Sequence, residues 1–256
     1  MSAAADWLAN HDLALWTIVL GAITNVACAM LGCYLVLRRM SLMGDAISHA
    51  VLPGIVIGFL WSHSLVGWGV FLGAVALGLL TASLSHGLTS YARVPEDSSM
   101  GVVFTSLFAL GVFLLTNLAR NVDLDPGCVL YGLIEAAPLD TVSCWGVEIP
   151  RTLAPMLAAL TLTCAFVVLF WKELKLSSFD PALATVMGLR ANVVHYLLMA
   201  MVAIVTVASF EAVGSIIVIA MLVVPAATAH LLTDRLRSMM LVSVGVAVVS
   251  SVFGYW

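Results

Sequence analysis

Residues 37–62 read LRRMSLMGDAISHAVLPGIVIGFLWS, and the fold turns on how this stretch is taken. Arg38 and Arg39 stand before a run from Met40 to Leu60 whose only ionisable members are Asp45 and His49. A helix of about twenty residues at 1.5 Å per residue covers a hydrocarbon core of roughly 30 Å. The apolar positions are continuous rather than alternating, which selects a helix over a barrel strand. Working outward, apolar runs bounded by short charged breaks recur and predict helices near 13–37, 40–60, 66–84, 101–118, 152–171, 193–209, 213–232 and 239–255. The fold class is therefore all-α: a polytopic transmembrane helix bundle of about eight spans, with residues 1–256 forming a single membrane domain.

Composition points the same way. Of 256 residues, 62% are hydrophobic and 9% charged, and the mean hydropathy is +1.12. A soluble surface needs more charge than that, whereas lipid solvates apolar side chains directly. No basic stripe interleaved with aromatic residues offers a nucleic-acid surface. The tail from Met1 to Asp12 has no Lys or Arg, so the first run reads as a retained helix rather than a secretory signal. With the N-terminus outside, the inner breaks hold Arg38, Arg39, Arg93, Lys172, Lys175, Arg190, Arg235 and Arg237, against Arg120 and Arg151 on the outer side. The outer stretch 119–151 is partly apolar but too short to span, and reads as a re-entrant or interfacial piece. Its acids Asp123, Asp125, Glu135, Asp140 and Glu148 read as a solvated face ahead of any metal-loading role. Cys128 and Cys144 share that loop and are open to a disulfide or to two free thiols.

Ionisable side chains inside a span are costly and mark function. His63, His86, His195 and His230 fall at span ends, where an interfacial or packed histidine is the plain reading. Asp45 and His49 differ: four residues apart, they share one helix face. A helix that starts just after Arg39 puts His49 about 15 Å in, near the bilayer midplane. One carboxylate and one imidazole suit Mn, Fe or Zn rather than Cu(I). The same spacing equally fits an Asp–His hydrogen bond that only pins the helix. Three features beside the pair favour a metal site. Ala46, Ala50, Gly54 and Gly58 recur every four residues and allow close helix packing. Pro53 has no N–H for the His49 carbonyl and is expected to kink the helix. Two donors are too few for a metal shell, so ligand count calls for a second copy across a dimer axis.

The stretch from Leu37 to Gly54 closely resembles the signature of the permease subunits of zinc/manganese/iron ABC importers. The similarity extends to Lys172–Ala184 with Gly188, and to Val213-Gly214 through Leu222-Val-Val-Pro225-Ala-Ala-Thr-Ala229. The resemblance implies a multi-pass protein of the bacterial inner (plasma) membrane, paired with a second permease copy or a sister permease around an axial path. It further implies two cytosolic ATP-binding ABC subunits and an extracellular or periplasmic metal-binding protein as partners. Asp45 and His49 match the family's metal-coordinating aspartate and histidine. The inner segment 172–191, with Glu173, Phe179, Asp180, Pro181 and Gly188, matches its ATPase-coupling segment. Family members usually carry another apolar segment beyond the one that ends here near Trp256, so one C-terminal family helix is expected to be absent.

From the residues themselves, Asp180-Pro181 reads as an N-cap followed by proline at the first helical position, opening a short helix towards Gly188. Pro225 releases the Met221 carbonyl and is expected to bend its span, as a gate or as plain packing. Lys172 and Lys175 follow no Gly-x-x-x-x-Gly pattern, so the chain has no Walker A loop of its own. The expectation is a transport subunit that is not an enzyme and holds no permanent cofactor, its cargo a divalent metal: Mn, Zn or Fe. A gradient-driven transporter or channel that works without ATP, and an ABC permease for a larger metal chelate, are the rival readings.

Overall fold

The structure, a computed structural model, describes residues 2–62, 68–118, 141–144 and 147–254. Ten helices stand among the described residues: α1 (Ser2–Leu37), α2 (Met43–Ser62), α3 (Trp68–Ala92), α4 (Glu96–Leu118), α5 (Leu153–Leu169), α6 (Trp171–Phe179), α7 (Pro181–Val186), α8 (Ala191–Val213), α9 (Ser215–Leu232) and α10 (Leu236–Phe253). An antiparallel hairpin, β1 (Thr141–Cys144) with β2 (Val147–Pro150), precedes α5. Seven of these helices are long and apolar enough to cross a membrane, and the bent pair α5–α6 makes an eighth candidate.

Many hydroxyls inside the spans are satisfied within their own helix. The hydroxyls of Thr17, Thr24, Ser48, Thr81, Thr206 and Ser209 each donate to the carbonyl four residues back. In lipid this removes the need for a water partner. Two helices organise the bundle. α1 packs on α5, α8, α9 and α10, with Leu20, Cys28, Leu31, Tyr34 and Leu35 wholly buried. A Cβ on Gly32 would overlap the Leu222 carbonyl of α9, so only glycine permits that approach. The amide nitrogen of Asn25 reaches the Ala247 carbonyl at 2.9 Å and Ser250 Oγ at 3.0 Å, tying α1 to α10. α2 packs on α3 and α4. Gly54 and Gly58 lie on the backbone of α3 at Gly73 and Gly69, and Gly111 of α4 lies on Pro53.

Several boundaries depart from the sequence expectation. α2 begins at Met43, not just after Arg39, because residues 38–42 form a tight link in which Met40 N–H donates back to the Leu35 carbonyl at 2.9 Å. α3 runs to Ala92 rather than 84, and α4 starts at Glu96 rather than 101. The polar residues Ser85, His86, Thr89 and Ser90 end the hydrophobic run but not the helix. The span expected at 152–171 stops at Leu169 and turns through 73° into α6. The segment expected as a re-entrant or interfacial piece lies outside the described residues, apart from the unanticipated hairpin. Cys28 and Cys33 are buried free thiols and Cys164 a half-buried one; a Cys128–Cys144 pairing lies outside the described side chains. Non-glycine residues with positive φ occur at the two links α1–α2 and α3–α4, Arg39 at 59° and Arg93 at 55°.

Candidate metal centre

The first turn of α2 presents Asp45 and the second His49, on the face turned towards α4. His49 Nε2 lies 3.4 Å from Asp45 Oδ1, and the two side chains are 36% and 37% exposed. A charge-assisted hydrogen bond closes to about 2.7–2.9 Å, so this pair is not clamped. The two side chains lie side by side and partly exposed on one helix face. The imidazole is held between aromatic rings of α4: Phe104 stacks on it at 5.7 Å and Phe108 meets it edge-on at 5.9 Å. Ala46 and Ala50, about 100° further round α2, are buried. Behind them the helix is unbroken through Pro53, whose ring rests against Gly111. With α2 starting at Met43, Asp45 lies about 3 Å and His49 about 9 Å along the helix.

Among the described residues no group of three or more His, Cys, Asp or Glu side chains is arranged to hold a metal ion. Asp45 and His49 thus offer two ligands of borderline hardness, half of the four that a tetrahedral site takes. Pro225 is buried within an unbroken α9, three residues after the Leu222 carbonyl that meets Gly32.

At the basic end, α6 and α7 form the segment singled out at 172–191. Asp180 Oδ1 accepts from Leu183 N–H at 2.9 Å and Pro181 opens α7, so the Asp-Pro pair caps a helix of six residues. Gly188 then takes φ 84°, a left-handed turn that suits glycine. Phe179, Leu183, Val186 and Met187 stand exposed here, an apolar strip beside the cap. Glu173 is half-buried, and its Oε2 has no hydrogen-bond partner among the described residues.

Sequence reasoning missed a junction beside this segment. Arg38 donates from Nε to Ser178 Oγ at 3.1 Å and from Nη2 to Ser177 Oγ at 2.7 Å. Its Nη1 lies 3.3 Å from His195 Nδ1; arginine only donates, so Nδ1 accepts and the ring proton sits on Nε2. Burial pulls the Arg38 pKa down to about 10, which still leaves it charged at neutral pH. His195 also faces His86 at 4.8 Å between ring centroids. These side chains line a cavity of about 410 Å³. Nothing in residue spacing signals contacts across 139 and 157 positions of chain; Arg38 registers in the sequence only as a topological charge.

A family model described as the ABC 3 transport family matches residues 10–256. The chain is 46% identical over 242 residues to the manganese transport system membrane protein MntD of Bacillus subtilis, covering 94% of this chain and 82% of that one. It is 42% identical to the zinc transport system membrane protein TroD of Treponema pallidum, covering 81% of this chain and 57% of that one. Among solved structures, PsaBC from Streptococcus pneumoniae in complex with Fab superposes with a TM-score of 0.75 at 31% identity, covering 94% of this chain and 80% of that one. With a bundle of this kind and a match that runs over nearly its whole length, the chain belongs to the ABC 3 transport family and is a multi-pass protein of the inner membrane.

Proposed function

We propose that this chain is the membrane-spanning subunit of an ATP-driven importer for a divalent transition metal, and that Asp45 and His49 from two copies hold the ion on the axis between them. The observation that carries the reading is the unclamped, half-exposed Asp45–His49 pair, two metal donors side by side on a face that no third ligand of the described chain completes. Two carboxylates and two imidazoles would neutralise a doubly charged ion and fill a tetrahedral shell. The relatives named for manganese and zinc transport support the cargo class; the donor set accepts Mn, Zn or Fe.

Energy enters from outside the chain. Cytosolic ATP-binding subunits dock on the α6–α7 segment, where the exposed Phe179, Leu183, Val186 and Met187 offer an apolar face. Glu173, Asp180, Pro181 and Gly188 shape the same segment. An outer metal-binding protein delivers the ion. Closure of the ATPases shifts α6–α7, parts the two α2 helices and releases the metal inward, with Pro53 and Pro225 as the points where their helices give. A loose pair suits this cycle, because an ion held too tightly would not leave.

The test is metal uptake by the assembly reconstituted in liposomes. Asp45→Ala and His49→Ala each abolish ATP-dependent uptake while the subunits still assemble; normal accumulation by either variant overturns the site. Uptake by this chain alone, without ATP, would instead establish a gradient-driven transporter or channel. A requirement for an organic chelate around the metal would establish the larger-substrate reading.

A further inference from the structure

We propose that Arg38 is a positioning residue for transport: its guanidinium, held by Ser177 and Ser178 of α6 and by His195 of α8, carries displacement of the α6–α7 segment to the start of α2 and so to Asp45 and His49. The inference rests on the function proposed above and adds the physical link between its two ends.

Three observations converge on it. The first is rigidity along the chain. Arg38 N–H donates to the Tyr34 carbonyl at 3.0 Å, Arg39 N–H to Val36 at 3.0 Å, and Met40 N–H to Leu35 at 2.9 Å. Met43 N–H then donates to the Met40 carbonyl at 3.0 Å. Each bond hands over to the next, so the last turn of α1 and the first residue of α2 form one stiff piece with Arg38 on it. Asp45 is seven positions further on.

The second is the grip on α6. A planar fork that binds two neighbouring hydroxyls at 2.7 and 3.1 Å fixes direction as well as distance, which a point charge does not. Ser177 and Ser178 directly precede Phe179 and the Asp180 cap, so the grip falls on the residues that enter α7.

The third is freedom to move. All three partners of the guanidinium are neutral, and the junction lines a cavity of about 410 Å³ that also borders the ends of α3, α4 and α8. Open space beside the junction leaves room for the gripped residues to shift together with Arg38. α6 leaves α5 at a 73° bend, so the residues gripped by Arg38 belong to a helix set apart in direction from the span before it.

The experiment compares uptake with ATP hydrolysis in the full reconstituted assembly, with manganese as the probe. The variants are Arg38→Ala, Arg38→Lys and the double substitution Ser177→Ala with Ser178→Ala. The serine pair leaves Arg38 and its contact with His195 in place, so it keeps the test open if Arg38→Ala does not fold. The expected result is uncoupling: ATPase activity stays within about twofold of the unmodified assembly while metal moved per ATP falls at least about tenfold, with Arg38→Lys intermediate. Uptake and hydrolysis falling in proportion in the serine variant, or neither falling, overturns the proposal. Absence of ATP-dependent uptake by the unmodified assembly overturns the proposed function itself, and this inference with it.

Discussion

At His49 a ligand and a helix pin make different demands on the neighbouring carboxylate. A pinning bond closes to hydrogen-bond length, and 3.4 Å between Nε2 and Oδ1 leaves the two groups adjacent but uncommitted. Phe104 and Phe108 hold the imidazole from the side, so the aspartate is not needed to orient it. Asp45→Asn separates the roles further, since the amide keeps a hydrogen-bond partner for the histidine but removes the charge that a divalent ion requires. The expected outcome is an assembly of unchanged thermal stability that binds manganese at least about tenfold more weakly, read by equilibrium binding in detergent. Unchanged affinity would make the pair structural. The pair itself was legible in the sequence, because a four-residue spacing in a helix is local information. The two phenylalanines were not, since they stand on α4, more than fifty positions on.

Among the elements, glycine decides which helices touch. Gly32 admits the α9 backbone at Leu222, Gly54 and Gly58 admit α3, and Gly111 admits Pro53. Gly32→Val forces α1 and α9 apart at backbone contact, and the expected cost is about 1–3 kcal/mol. A thermal-unfolding scan of the solubilised protein should show a lower midpoint, and an unchanged midpoint would mean that the helices part without penalty. The stripe ending in Gly54 and Gly58 could be read as a packing face from periodicity, but not that α3 would fill it. Helix ends were the least legible level. Hydropathy marks where lipid stops, while a helix continues as long as its backbone bonds do, which is why α3 reaches Ala92 and α4 begins at Glu96. The bend at Phe170 has no proline or glycine to announce it in the sequence.

Across the whole molecule, the count of spans and the capped inner segment followed from composition and from the Asp-Pro pair. The Arg38 junction did not, because tertiary contacts over such separations leave no periodic trace. The two short links at the basic end carry one more consequence. Arg39 and Arg93 occupy backbone conformations that glycine adopts without penalty, at a cost of about 1–2 kcal/mol each for an L-residue. Arginine there forgoes conformational ease and in return keeps cationic charge at both inter-helix links. Replacing both with glycine should therefore yield a chain that resists heat better yet inserts in mixed topology, as read by labelling cysteines on either side of the bilayer. A uniform orientation would show that the remaining cations suffice to steer the protein into the membrane.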